Sequence, residues 1–491
     1  MINRRKLLLG TAATGAAASG GYGWITRGSI DLSNLASRPR LKMPPLIDTA
    51  TAGKLNLTAM NGETRFWQDM PSQTTGYNQS YLGPVIRVKR GAFQANLSNQ
   101  TPENISVHWH GLKIPGGVDG GPHILVQPGT SWHPEINIDQ EPSTLWYHTH
   151  IHRRTATGVY RGLAGGMIIS DGRDDQRGLP STYDVDDLYL VLRDRNFSSN
   201  GQMIYDLGMM GRMHGFSGTT MVVNGQIGTV AVVPRGIVRL RLLNGSNARI
   251  YRLKFSDSRA MHLIATDNGY LPEPRQLNDL RLSPGERAEV LVDFADGNPV
   301  VLTSLSDPNS GAGGMLGRFP SVAANLIGSQ FEVLSFSASE QIESRITAIP
   351  DKLDGSLPDL KDQEIRKRSF SLDVGMGGGM MGNSMAINGR PFDMSRIDFE
   401  VKLGTVERWI VSASTLAHPF HVHGVAFQVL SENDGPPRPE NQGWKDTVLI
   451  NQKAELLIKF EKPAPREKPF MYHCHLLEHE DQGMMGQFSV I

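Results

Sequence analysis

Three tandem β-sandwiches, an all-β architecture, are what this 491-residue chain predicts, and three observations predict them. Short runs of Val, Ile and Leu alternate with polar residues and show no long amphipathic helical period, while 53 Gly and 29 Pro turn the chain often. The length exceeds the roughly 250–300 residues at which a single core stops growing. The third observation is a repeat: an extended run enters a glycine and leaves through another run that ends, eight positions on, at a small polar residue. It recurs from Ile86 to Asn99 around Gly91, from Val232 to Asn244 around Gly236, and from Val401 to Ser412 around Gly404. Each copy reads as paired strands of one sandwich, so the chain reads as three copies of one domain.

The elements follow in order. Residues 1–30 open with Arg4, Arg5 and Lys6, then a mild stretch rich in Ala and Gly. Twin arginines before a short, weakly apolar region have the form of a Tat-type export signal. They predict hand-over to the Tat machinery, a periplasmic destination and no stable membrane insertion. Copy one is expected over residues 45–171, copy two over 184–337 and copy three over 366–491. The polar, Pro-bearing stretch 339–365 is a connector whose charges form a solvated surface. Forty-nine basic residues balance forty-nine acidic ones, which leaves no global field to favour nucleic acid or an anionic membrane.

The spacing within the copies carries chemistry. Gly91 precedes His108 by 17 residues and Gly404 precedes His421 by the same 17, with His110-Gly111 and His423-Gly424 completing a His-x-His-Gly motif each time. The ends match too, Tyr147-His148-Thr149-His150 paralleling Tyr472-His473-Cys474-His475. The middle copy has only Met261-His262-Leu263 at this point, and is expected to hold no metal of its own.

Cys474, the single cysteine, stands where the first copy has Thr149. Successive side chains of a strand point to opposite faces, so His473 and His475 share one face and Cys474 looks out from the other. One strand then serves two metal centres. Two imidazoles, a thiolate and a weak axial thioether are the ligand set of a blue copper site, and His418, Cys474, His479 and Met484 supply it. The four His-x-His pairs (His108/His110, His148/His150, His421/His423, His473/His475) give eight imidazoles, enough for three more copper ions and too many for a zinc site.

These motifs resemble those of the multicopper oxidases, three-domain cupredoxin-like Greek-key proteins. Tyr81-Leu82-Gly83-Pro84, Gly443-Trp444-Lys445-Asp446-Thr447 and the run from His473 to Met485 are most similar to bacterial copper efflux oxidases. The resemblance implies four copper ions: a type 1 copper on His418, Cys474, His479 and Met484; a type 2 copper on His108 and His421; and a type 3 pair on His110, His148, His150, His423, His473 and His475. It implies oxidation of Cu(I), and of phenols or aromatic amines in the test tube, coupled to reduction of O2 to water and serving copper tolerance. Asp119 and Glu480 match positions where the family places proton-handling carboxylates.

Two methionine groups extend that expectation. Met203, Met209, Met210 and Met213 stand near His214, and Met376, Met380, Met381 and Met385 lie in a Gly-rich stretch; thioethers suit Cu(I) and both groups read as loops. Against this, Ser414 and Leu416 stand where copper efflux oxidases carry an aspartate and a methionine, which favours a laccase acting mainly on phenols as the alternative. A second alternative comes from another class: Arg153-Arg154-Thr155-Ala156 to Gly162-Leu163-Ala164-Gly165 resembles copper-free exported scaffolds of the same fold that act in cell division. The other histidines, His123, His133, His152, His214 and His262, read as structural or surface.

Overall fold

The structure, a computed structural model, describes residues 35–67, 70–307, 331–374 and 385–491. The expected export signal, and Met376, Met380 and Met381, lie outside the described residues. Six sheets pair into three sandwiches. In the first, a sheet of Met70–Tyr77, Leu55–Trp67, Gly91–Asn99 and Ser131–Trp132 faces one of Leu46–Asp48, Val85–Val88, Ala164–Ile169 and Ser143–His148. The third repeats this plan, with Glu364–Val374 beside Val406–Ala413 in one sheet and Phe399–Val401, Met485–Val490, Phe470–Cys474 and His418–Val422 in the other.

The repeated glycines begin equivalent strands. Gly91 opens Gly91–Asn99, Gly236 precedes Ile237–Asn244 and Gly404 precedes Val406–Ala413; each strand pairs in parallel with the entry strand of its sandwich. The physical demand differs, however. Gly91 and Gly404 have φ of 111° and 80°, open to glycine at no steric cost, whereas a Cβ on Gly236 would meet Ser344 Oγ at 1.8 Å.

Strand Ile237–Asn244 shows how alternation builds the assembly. Val238, Leu240 and Leu242 enter the core of the middle sandwich, each worth roughly 1.5–3 kcal/mol on burial. Arg239 and Arg241 point the other way yet are also buried, because that face meets the first sandwich. Arg241 donates to Asp187 at 2.7 Å and to Thr144 at 2.9 Å, and Arg239 donates to Glu289 at 2.8 Å.

The connector is strapped down. Ile237 N–H donates to Ile346 O at 2.9 Å, Leu353 N–H to Pro272 O at 2.8 Å, and Trp444 Nε1–H to Ser356 O at 2.8 Å. Its charged residues from Asp351 to Asp362 are exposed, as expected of a solvated surface. The methionine expectations change: Met385 sits in strand Met385–Ile387, fully buried in the third core, Met203 lies in strand Met203–Ile204, and Met209, Met210 and Met213 lie in the helix Met209–His214, not in loops. Among the described residues, no helix is long and apolar enough to cross a membrane.

Candidate metal centre

The first and third sandwiches bring their paired-imidazole strands face to face. The backbone of His108 exchanges hydrogen bonds with that of His148 (2.9 and 3.1 Å), and His421 pairs with His473 across two antiparallel strands. Every ring of the four pairs is buried. His108 stacks on His423 at 3.7 Å between centroids and His110 on His421 at 3.7 Å, so the two motifs interleave across the junction. His475 completes the ring of eight, 5.1 Å from His110 and 5.6 Å from His148. Trp146 stacks on His148 at 4.2 Å and lines the cluster, while Trp109 and Trp409 pack in cores.

The protons in this cluster are placed by the backbone. A carbonyl can only accept, so His421 Nδ1 donates to Asp446 O at 2.8 Å, His108 Nδ1 to Asp119 O at 3.2 Å and His473 Nδ1 to Cys474 O at 3.1 Å. Asp119 Oδ2 takes His423 Nδ1–H at 2.8 Å. The four remaining Nε2 atoms therefore carry bare lone pairs. They meet head to head: His108 to His421 at 3.4 Å, and His423 to His473 at 3.3 Å. Such facing lone pairs repel unless a cation lies between them. A proton is a poor one here, since burial and then the neighbouring rings hold His423 and His473 well below the usual histidine range, and burial lowers His421. A metal ion fits, and copper suits an all-imidazole donor set.

Cys474 projects to the other side of its strand, into the third core. Its sulfur lies 3.4 Å from His418 Nδ1 and 3.7 Å from His479 Nδ1, and those two nitrogens are 3.3 Å apart. Burial pushes the thiol up, so a metal would have to displace its proton. Met484 is buried beside this set, its backbone fixed by Cys474 N–H donating to Met484 O at 3.0 Å and Met484 N–H to His479 O at 2.9 Å.

Both expected carboxylates are at the cluster. Asp119 sits between two rings, 3.3 Å from His108 Nδ1 as well as bonded to His423, so it is more than a turn residue among glycines. Glu480 comes within 3.3 Å of His473 Nδ1 and 3.5 Å of His150 Nδ1, without the alignment of a hydrogen bond. Burial, with Asp481 next to it, holds its carboxyl well above the usual range, which favours its protonated form.

Several residues of the site were not foreseen. Asp446 takes His110 Nε2–H at 3.0 Å and is itself gripped by Arg287 of the middle sandwich at 2.6 and 2.7 Å. Gly285, φ 87°, lets that sandwich approach His475, whose ring a Cβ would meet at 3.0 Å. The middle copy thus helps position Asp446 and His475. Leu477–Asp481 is a single helical turn at the three-way junction: Glu478 takes Tyr205 O–H at 2.7 Å and Phe216 N–H at 3.0 Å from the middle sandwich, while Asp481 takes two amides of the first. Nothing in one copy's pattern signals contacts of this kind.

Three tandem cupredoxin-like sandwiches, with an imidazole cluster at the junction of the outer two and a thiolate set one strand away, are the layout of the multicopper oxidase fold. The sequence matches the multicopper oxidase family over residues 59–174, 181–307 and 369–491, and the chain belongs to that family. It is 36% identical to the cell division protein FtsP of Sodalis glossinidius, over 100% of this chain and 98% of that one. It is 38% identical to the cell division protein FtsP of Xenorhabdus nematophila, over 93% of each. Among solved structures it is similar to CueO of the lignin-degrading bacterium Ochrobactrum sp., a laccase-like multi-copper oxidase with oxidase activity towards lignin model compounds and lignosulfonate. That likeness has 40% identity, a TM-score of 0.85, and coverage of 92% of this chain and 100% of the other.

The cell-division relatives correct the functional expectation. A copper-tolerance enzyme oxidising Cu(I), or a laccase oxidising phenols, is overturned by near-full-length similarity to proteins named for division. The physical reason is that histidine and cysteine spacing specifies a fold and a donor set, and these are common to the family. Biological role resides in surfaces and partners that the donor motifs do not encode. The signal that pointed towards these relatives was the run from Arg153 to Gly165; Ser414 and Leu416 had pointed to a laccase.

Proposed function

We propose that the chain acts in cell division as an exported, periplasmic member of its family, and that its folded body, not turnover of a reductant, is what the division machinery uses. The observation that carries this is the similarity to FtsP proteins over nearly the whole length of both chains. The twin arginines at Arg4 and Arg5 support export.

The same reading includes copper, four ions held as one type 1, one type 2 and a type 3 pair. The facing bare nitrogens support it, because they have no use in a metal-free core. His418, Cys474 and His479, with Met484, would hold the type 1 ion; His108 and His421 the type 2 ion; and His110, His148, His150, His423, His473 and His475 the type 3 pair. Copper bound there supplies one-electron redox capacity at the sulfur and a place for O2 among the imidazoles. The protein's own part is orientation: Asp446 and Asp119 hold ring protons outward, Arg287 holds Asp446, and the sandwiches exclude water. Loading would tie the first and third sandwiches together by ligands from both.

Cells lacking the gene, complemented by wild type or by Cys474→Ser, test the reading. Both are expected to restore normal cell length. Failure of a folded, exported Cys474→Ser protein to do so would show that division needs the thiolate centre, and would overturn the scaffold role.

A further inference from the structure

Residues 39–45 form an arm that is fastened to two sandwiches. Leu41 N–H donates to Val230 O at 2.8 Å and Val230 N–H to Pro39 O at 3.0 Å on the middle one, and Val85 N–H donates to Pro45 O at 2.8 Å on the first. The Gln226 side chain holds Lys42 by its backbone, accepting its N–H at 3.0 Å and donating to its O at 2.8 Å. Leu41 enters the core of the middle sandwich, so alternation along the arm turns Arg40 and Lys42 outward, where both are exposed. There they line a cleft of about 390 Å³ between the first and middle sandwiches, which Arg65, Phe66, Leu82 and Ile227 also line.

Three cations and no carboxylate line this cleft. Among the described residues Arg40, Lys42 and Arg65 make no ion pair, although Arg38, two positions before Arg40, is paired with Glu332. Asp184 feels the charge of Arg40 without pairing with it. Such a lining takes an anion with an apolar part: carboxylates for the three cations, and an apolar side chain for Phe66, Leu82 and Ile227. The arm also sets a spacing. Alternate side chains of an extended chain stand about 6.6 Å apart, so Arg40 and Lys42 match acidic residues two positions apart on an extended ligand. A bilayer does not fit, because Phe66 and Leu82 are 8% and 3% exposed and recessed in a concave surface that a flat sheet of headgroups does not enter.

We propose that this cleft is the docking site for an extended acidic segment of a partner protein, one in which acidic and apolar residues alternate. Its carboxylates meet Arg40, Lys42 and Arg65, and an apolar side chain between them packs on Phe66 and Ile227. The cations are exposed, so the attraction is screened by salt and the affinity falls as ionic strength rises. The inference gives the scaffold reading a contact surface, and rests on that reading for the partner's being a division protein.

The test titrates the full chain into a fluorescein-labelled peptide of alternating glutamate and leucine and reads fluorescence anisotropy at low and at physiological salt. Wild type is expected to bind this peptide at least tenfold more tightly than one of alternating glutamine and leucine. The variant Arg40→Ala/Lys42→Ala/Arg65→Ala should lose at least tenfold in affinity. A second variant, Lys54→Ala/Lys352→Ala/Lys402→Ala, removes the same charge from exposed positions that do not line the cleft, and should bind as wild type does. All six side chains are exposed, so both variants should fold, and thermal melting checks that they do. No binding by wild type, or equal affinities for the two variants or for the two peptides, overturns the docking site and leaves the division reading intact. Sedimentation with phosphatidylglycerol vesicles that the cleft variant loses, in the absence of peptide binding, overturns it in favour of a membrane. Failure of Cys474→Ser to restore cell length overturns the scaffold reading and leaves a peptide site standing.

Discussion

Asp481 of the third sandwich caps a helix of the first: its two carboxylate oxygens take the amides of Thr155 at 2.9 Å and Ala156 at 3.0 Å. Arg154, at the cap position of helix Thr155–Arg161, gives no side-chain cap. The turn carrying type 1 candidate His479 is thereby bolted to the segment in which the sequence resembles division scaffolds. Asp481→Ala removes an N-cap and is expected to lower stability by about 1 kcal/mol, whereas Asp481→Asn keeps the acceptor and loses less. Urea unfolding of the three proteins checks this. An unchanged midpoint for the alanine variant would remove the cap from the account.

Arg287→Met should be far more costly. It leaves Asp446 buried without its cationic partner, and breaking a buried pair costs roughly 3–5 kcal/mol. Because Asp446 orients His110 and His421, copper content should fall as well. Calorimetry and metal analysis of the same preparation read both effects, and a loss of stability with full copper would separate Asp446 from the cluster.

Cys474→Ser should abolish the thiolate-to-copper colour and one equivalent of copper, while the imidazole cluster on the other strand face keeps the rest. Copper analysis decides it. Loss of all copper would mean that the two sets do not fill independently.

The metal-free protein should weaken in acid. Burial lowers the folded pKa of His110, His148, His150, His418, His421, His423, His473 and His475, and brings His479 down to about 4. Below the unfolded value near 6.5 the unfolded chain binds protons that the folded chain refuses, so stability falls with pH at up to about 1.4 kcal/mol per unit for each ring. Glu478, Glu480 and Asp481 act oppositely, since burial raises them and their contribution is lost as pH rises. The rings outnumber these carboxyls, so the melting temperature should drop between pH 6.5 and 4.5. A flat profile there would contradict neutral, buried imidazoles.

Gly285→Ala is expected to strain the middle sandwich against His475, because a left-handed φ of 87° and a 3.0 Å approach both penalise a side chain. A loss of about 1–3 kcal/mol, read by thermal melting, is the predicted size.

Much of the centre was legible because it is written in contiguous residues. Strand alternation alone put Cys474 opposite His473 and His475, and equal glycine-to-histidine spacing identified the two copies that carry donors. The partners that orient the donors were not legible: His110 and Asp446 are 336 positions apart, and Arg287 comes from the copy without ligands. Nor did the donor list point to the division proteins that the chain resembles, since it records what a cavity can bind and not what a surface meets.

By itself, then, the sequence determined three sandwiches, their donor strands and the two faces of Cys474, because a pleated backbone converts residue parity into direction. Only the tertiary structure decided which nitrogens stay bare, that Arg287 and Gly285 of the middle sandwich shape a site between the other two, and that Asp481 of the third sandwich caps a helix of the first. Those outcomes depend on carbonyls, carboxylates and close approaches brought together by packing three domains, and no local pattern encodes them.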